Sequence, residues 1–402
     1  SCSLVGSEMC IRDSYIDIGG LKEMKYCITN GKVILKNQVV DANVYVENTK
    51  ITEISNRQPD DETVIDAKGR YVSPGFIDVH THGRGGSDTM YNTFEDLDTI
   101  TSTAVKTGVT GILPTTMTMS KEDTYAAIKN VGDNMDKVGG SKILGVHMEG
   151  PFFNTKYKGA QPEEFMIKPT AENYSSLVGE YGKIVKKLSL APELKDSDKL
   201  IEYLVKEGVV VSIGHTNATY DEAVVGIKAG ATSGTHTYNA MTPLTHRNPG
   251  VVGAIMEHDE VYAELILDGI HVSYPAAKVL LRAKGLDKVI LITDSIEASG
   301  LEDGQYKLGN QAVFVKDNSA RLEDGTLAGS ILAMNNAVKN AYQHLGLSIN
   351  EAVNLASYNP AKNLNLIDLG EIAVNKTADI IMFDEEINVD FVMIDGNVKI
   401  GG

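Results

Sequence analysis

His80 and His82 flank a single threonine in FIDVHTH, and His215 and His236 follow two further β-rich runs, VVVSIG and TSGT. Side chains on a strand alternate between faces, so a His-x-His pair presents both rings on one side. Two imidazoles so placed can clamp a divalent cation. Alone, the pair is a weak signal, because His-x-His arises easily. Four histidines at the ends of three strand-like runs form a much stronger one. Glu149 closes another run in KILGVHMEGPF and can bring a carboxylate to the same centre. The alternative is a buried carboxylate held by backbone amides; burial without a partner is costly, and a cation removes that cost. His147 shares the strand parity of Glu149 one layer deeper, which assigns it to packing or to support of the ligands. Asp294 closes KVILITD, where a carboxylate opposite an activated water can take a proton and later return it to a leaving group. Its alternative is a turn or helix-capping aspartate. His271, in DGIH, can donate a hydrogen bond to a polarised carbonyl or be an ordinary loop histidine.

Positioning these residues requires a sheet whose strand ends meet. Eight short β-rich runs supply it: 76–80, 109–115, 142–148, 186–192, 209–214, 232–236, 262–268 and 288–294. Helical patterns such as EDLDTITSTAVKTG, KEDTYAAIKNV, DSDKLIEYLVKEG, TYDEAVVGIKAG and PAAKVLLRAKG separate most of them. Strand–helix alternation eight times over predicts an α/β chain with a (β/α)8 TIM-like barrel at 74–372, whose chemistry sits at the C-terminal strand ends. Met117 and Met119 read as packing. GRGGSD (83–88) lacks the Gly-Lys-Ser/Thr ending of a phosphate loop and reads as a flexible loop after the first strand.

The chain ends have a different texture. Residues 24–73 and 373–402 read as short strands with turn residues at Asn30-Gly31, Asn48, Asp66 and Asp395-Gly396-Asn397. Neither half buries a core alone, so the two are expected to form one small β-sandwich domain together. Residues 1–23 stand apart: EMCIRDS resembles a translated sequencing adapter, and Met24 reads as a natural start, which makes this leader non-native. Cys27 is then the one genuine cysteine, which suits a reducing, cytoplasmic setting. Lys plus Arg total 37 against 54 Asp plus Glu, a formal charge of -17. That balance disfavours nucleic acid and anionic membrane as partners. The 42% hydrophobic and 23% charged composition excludes a disordered chain or a coiled coil, and no apolar run is long enough to span a bilayer.

His-x-His on the first strand, His on the fifth and sixth, and Asp on the eighth resemble the pattern of the amidohydrolase superfamily. Within it, PGFIDVHTHG, HMEGPFFNTKYKGAQP, SIGHTNATYDEA, GTHTYNAM, RNPGVVGAI, DGIHVS, LITDS and LAGS resemble the sugar-phosphate deacetylase family that acts on N-acetylglucosamine 6-phosphate. Many superfamily members bridge two metals with a carboxylated lysine on strand 4. Here KLSLAPEL has none near its end, and Glu149 fits the deacetylase pattern instead. The resemblance implies that Glu149, His215 and His236 bind one metal and that His80 and His82 complete a second site. It makes Asp294 the catalytic acid/base and His271 a catalytic and substrate contact. Ala160, Gln161, Asn239, Ala240, Arg247 and the backbone of Leu327, Ala328 and Gly329 become substrate contacts. It further implies one or two divalent ions (zinc or iron first, cobalt or manganese as alternatives), a phosphorylated amino-sugar substrate, and a homodimer in which Arg247 reaches the neighbouring site. Two other readings stay open on the residues alone: a different amidohydrolase such as a dihydroorotase or amino-acid deacetylase, and a non-catalytic barrel.

Overall fold

The computed structural model describes residues 24–401; the leader expected at 1–23 lies outside the described residues. Eight parallel strands make the barrel: Phe76–Thr81, Val109–Thr116, Val146–Glu149, Val185–Leu190, Val210–Ile213, Ser233–Gly234, Tyr262–Ile266 and Val289–Ile292. Each pairs with its neighbour in that order. The eighth returns to the first through Asp294 N–H to the His80 carbonyl, 2.8 Å, and a bridge between Thr81 and Ser295. Strands such as VILI are buried along their whole length, as helices on the outer face and side chains in the lumen require. The run 142–148 divides: Lys142–Ile143 pairs with the second strand, and the chain resumes as the third strand at Val146. Among the described residues, no helix is long and apolar enough to cross a membrane.

Both chain ends join in a second sheet. Lys25–Leu35, Gln38–Glu47, Lys50–Ser55, Thr63–Asp66 and Tyr71–Pro74 come from one end, and Ile380–Phe383, Val389–Ile394 and Asn397–Ile400 from the other. Strand alternation explains how this sheet serves two cores. Ile380, Met382, Phe391 and Met393 face a small core with Ile28, Val33, Val44 and Ile51. Their alternates Ile381, Phe383, Val392 and Ile394 join the barrel core. Phe383 lies between Tyr71 and Phe76, with ring centroids 5.6 and 6.5 Å away. Lys142 adds ion pairs to Asp379 and Asp395 at 2.8 and 2.7 Å.

The turn expected at Asn30-Gly31 is instead a bulge inside a continuous strand; Asn30 takes the left-handed conformation without reversing the chain. Asp66 ends a strand, and its carboxylate accepts from the Lys68 N–H. GRGGSD is a hydrogen-bonded ribbon, Gly83–Arg84 against Ser87–Asp88, with Arg84 buried, because Gly85 and Gly86 take the positive φ values a tight reversal needs. A further antiparallel sheet, Gly304–Leu308, Gln311–Lys316 and Ser319–Arg321, follows the eighth strand and escaped the sequence reading. Met117 and Met119 pack against it, as does Met90.

The hairpin at Asp395-Gly396 ties the two chain ends together. Ile394 pairs with Asn397, so the loop has two residues, with φ of 49° and 73°. A Cβ on Gly396 would stand 1.7 Å from the Asn48 carbonyl oxygen, in the turn between two strands of the other chain end. Gly396→Ala is therefore expected to cost about 1–3 kcal/mol of stability, read as a lowered thermal midpoint. An unchanged midpoint would show that this contact carries no weight.

Candidate functional site

Four site side chains arise by one local rule. The fifth to eighth strands end at Ile213, Gly234, Ile266 and Ile292, and His215, His236, Asp268 and Asp294 each stand two residues further on. At that point strand parity still aims the side chain into the barrel mouth. His215, His236 and Asp294 take φ of 47°, 29° and 50° there. Left-handed backbone at non-glycine residues costs roughly 1–3 kcal/mol each and gathers where function imposes it. His80 and Glu149 lie within strands, and His82 follows the first by one residue.

These residues converge on Glu149. Its Oε1 lies 3.2 Å from His215 Nε2 and 3.1 Å from His236 Nε2, and those two nitrogens are 3.1 Å apart. His82 Nε2 lies 3.1 Å from Glu149 Oε2 and 3.4 Å from Asp294 Oδ1. His80 Nε2 is 3.4 Å from Glu149 Oε1 and 3.3 Å from Asp294 Oδ1. Two donor triads result, Glu149–His215–His236 and His80–His82–Asp294, each with ligand atoms within 4.8 Å of one another. Ligands about 2.0–2.1 Å from a tetrahedral ion stand roughly 3.3 Å apart, so the first triad has the spacing of a cation site. Among the described residues His80 Nε2 is buried without a hydrogen-bond partner. Imidazole and carboxylate donors fit zinc, iron, cobalt or manganese.

The electrostatics point the same way. Burial raises the Glu149 carboxyl, yet the charge of His80 and hydrogen bonds from His215 and His236 hold it well below the usual range. Burial opposes charge on His82, but Asp294 and Glu149 beside it push it up to about 10. Asp294 is likewise raised by burial and brought below its ordinary value by His80 and His82. Buried carboxylates here demand positive charge, which either protons on the rings or a cation can supply.

The surroundings fix each group. His215 Nδ1 donates to the Tyr157 carbonyl at 3.0 Å, which leaves Nε2 for Glu149. Gln161 donates to Glu149 Oε2 at 2.7 Å and accepts from Thr118 N–H at 2.8 Å, so it holds the carboxylate as well as facing the cavity. His271 Nδ1 is 2.6 Å from Asp268 Oδ2, and Asp268 also accepts the Ile270 and His271 amides. His147 lies beneath, 2.8 Å from Ser189 Oγ and edge-on to His80, as its deeper register predicts.

A cavity of about 340 Å³ opens over the triads. His82, Glu149, His215, His236, His271 and Asp294 line it, together with Ala160, Gln161, Asn239, Ala240, Leu327 and Gly329. Ala328 does not; it is fully buried, with its N–H on the Ala320 carbonyl. Arg247 is exposed in a separate hollow with Asn217, Tyr220 and Asn248. Leu308 from the unforeseen sheet forms part of the wall, and Gln311 donates to the Ala160 carbonyl. Sequence reasoning also missed Asp268, Lys187 and Glu264. The signals were there: an acid at a strand end, and charged residues inside otherwise apolar barrel strands.

Residues 71–399 match the amidohydrolase family. An N-acetylglucosamine-6-phosphate deacetylase of Lysinibacillus sphaericus is 37% identical over 361 residues, 89% of this chain and 93% of that one. The crystal structure of the enzyme of that name from Pasteurella multocida superposes with a TM-score of 0.90 at 31% identity, over 94% of this chain and all of its own. A Mycobacterium smegmatis variant of that name, crystallised with N-acetyl-D-glucosamine 6-phosphate, gives 0.88 at 28% identity, with coverage of 94% and 100%. Glu149→Gln removes the one negative charge of the first triad; elemental analysis is expected to show loss of about one metal per subunit, with binding weakened at least about 10-fold. Full metal content in that variant would refute the first triad as a cation site.

Proposed function

We propose, from the premise that the chain belongs to the amidohydrolase family, that it is a metal-dependent deacetylase. It hydrolyses N-acetyl-D-glucosamine 6-phosphate to D-glucosamine 6-phosphate and acetate, in amino-sugar catabolism. The observation that carries this reading is the meeting of two donor triads, one of which includes Asp294, with His271 at one cavity. The named relatives supply the substrate class.

A divalent ion held by Glu149, His215 and His236 supplies, when bound, polarisation of the acetamide carbonyl and a water of lowered pKa. Zinc or iron is the first choice, with cobalt or manganese as alternatives; His80 and His82 provide for a second ion. Asp294 takes the proton of the attacking water as the new C–O bond forms. It then delivers that proton to the sugar nitrogen as the C–N bond breaks, which matters because an amide anion is a very poor leaving group. His271, its Nδ1 committed to Asp268, turns its other ring nitrogen to the carbonyl oxygen as charge gathers there. Ala160, Gln161, Asn239 and Ala240, with the backbone of Leu327 and Gly329, cradle the sugar.

The phosphate needs a cation in a chain of net charge -17. Arg247 has the guanidinium fork suited to it. It forms no ion pair or hydrogen bond among the described residues and lies outside the cavity of its own chain. A homodimer in which Arg247 enters the neighbour's site accounts for both facts. A cytoplasmic setting fits the buried, unbridged Cys27.

Acetate release from N-acetylglucosamine 6-phosphate, measured with metals per subunit on one sample, tests the assignment; metal-replete protein that releases no acetate refutes it. Asp294→Asn is expected to lower turnover by about 10²–10⁴-fold with the first-triad metal retained, and near-normal turnover would reject its role. Arg247→Ala should raise KM for the phosphorylated sugar about 10-fold or more with little change in kcat. An unchanged KM, or a protein that sediments as a monomer, removes Arg247 from the site.

A further inference from the structure

Beneath the His80 ring lies an ion pair that the mechanism above does not use. Glu264, inside the seventh barrel strand, and Lys187, inside the fourth, are both fully buried, and Lys187 Nζ contacts Glu264 Oε1. The other carboxylate oxygen, Oε2, lies 3.2 Å from His80 Nδ1 and accepts the His236 backbone N–H at 3.1 Å. One carboxylate thus touches a ring from one triad and the main chain of a residue in the other.

Stability does not explain the pair. Buried ion pairs roughly break even against well-packed apolar side chains of similar size. What Glu264 adds is direction. A neutral imidazole carries its proton on one nitrogen only. An acceptor at Nδ1 keeps the proton there and leaves the Nε2 lone pair free. Among the described residues His80 Nε2 is buried without a hydrogen-bond partner, between Asp294 Oδ1 and Glu149 Oε1 at 3.3 and 3.4 Å. With the proton on Nε2 instead, the ring would donate to those carboxylates and its lone pair would be lost to a cation. Lys187 balances Glu264, so the carboxylate does not add a further uncompensated charge beside Glu149 and Asp294.

We propose that Glu264, backed by Lys187, is a positioning residue for the His80–His82–Asp294 triad: it holds His80 as the Nδ1–H tautomer and so makes that triad a second cation site. The inference rests on the metal-dependent reading of the site given above.

The test uses the full chain reconstituted with zinc, with metals per subunit from elemental analysis and zinc affinity from calorimetry. Two double variants remove the ion pair. Lys187→Met with Glu264→Gln keeps an oxygen for His80; Lys187→Met with Glu264→Leu does not. The first is expected to hold about two zinc ions with affinity within roughly 3-fold of wild type. The second should hold about one, its weaker site lost by about 10–100-fold. Equal zinc content in the two variants overturns the proposal, as does loss of the second ion from the Gln variant. If the Leu variant does not fold, the Gln variant alone decides by the same criterion. Nitrogen-15 shifts of His80 in zinc-loaded wild-type protein give a check that needs no variant, since a protonated Nε2 there overturns the assignment. A wild type that holds one zinc yet releases acetate sinks this inference and leaves the deacetylase reading standing; two zinc ions without acetate release do the reverse.

Discussion

The structure is organised around two carboxylates, Glu149 and Asp294, buried within reach of the same imidazoles at the mouth of a barrel. Carboxylates out of water and this close cannot both stay charged without positive charge between or beside them. The site therefore demands positive charge, from ring protons or a bound cation, before any substrate is considered. The Nε2 atoms of His80, His82, His215 and His236 stand around them, and the barrel rigidly fixes the strands that carry these rings.

Rigidity comes from the polar interior as much as from apolar packing. The barrel carries Lys187, Ser189, Ser212, Thr235 and Glu264 in its lumen, all fully buried. Three of them form one bonded layer: Ser189 Oγ and Ser212 Oγ each meet Thr235 Oγ1, at 2.8 and 2.6 Å, and Ser189 also meets His147. Such a layer is favourable only when each member finds a partner, and it then fixes the rings above it. Around the outside, the small sheet shares its alternate residues with the barrel core, so both chain ends brace the first strand, which bears His80.

Much of the site was legible because metal chemistry needs particular residue types and a barrel puts them at predictable places. His80, His82, Glu149, His215, His236 and Asp294 could each be assigned to the end of a β-rich run, and the structure brings all six together. Asp268 occupies the same position after the seventh strand, yet its role depends on the Nδ1 contact to His271, which spacing alone leaves ambiguous. The sheet at 304–321 was missed because its strands are short and mostly exposed on one face, giving little apolar periodicity. Arg247 could be given a chemistry but not a location, since one chain leaves it on its surface.

The sequence by itself determined the eight strand–helix units, the inward parity of the histidines and the kind of chemistry their donors support. These follow from local periodicity, which residue order encodes directly. Tertiary structure alone decided that Glu149 is the common partner of four rings, that Gln161 grips it, and that Lys187 and Glu264, from strands far apart in the chain, meet under His80. The contacts under His80 depend on barrel closure and shear, which bring Glu264 onto Lys187, 77 positions away, and onto His80, 184 positions away, and no local pattern records that distance.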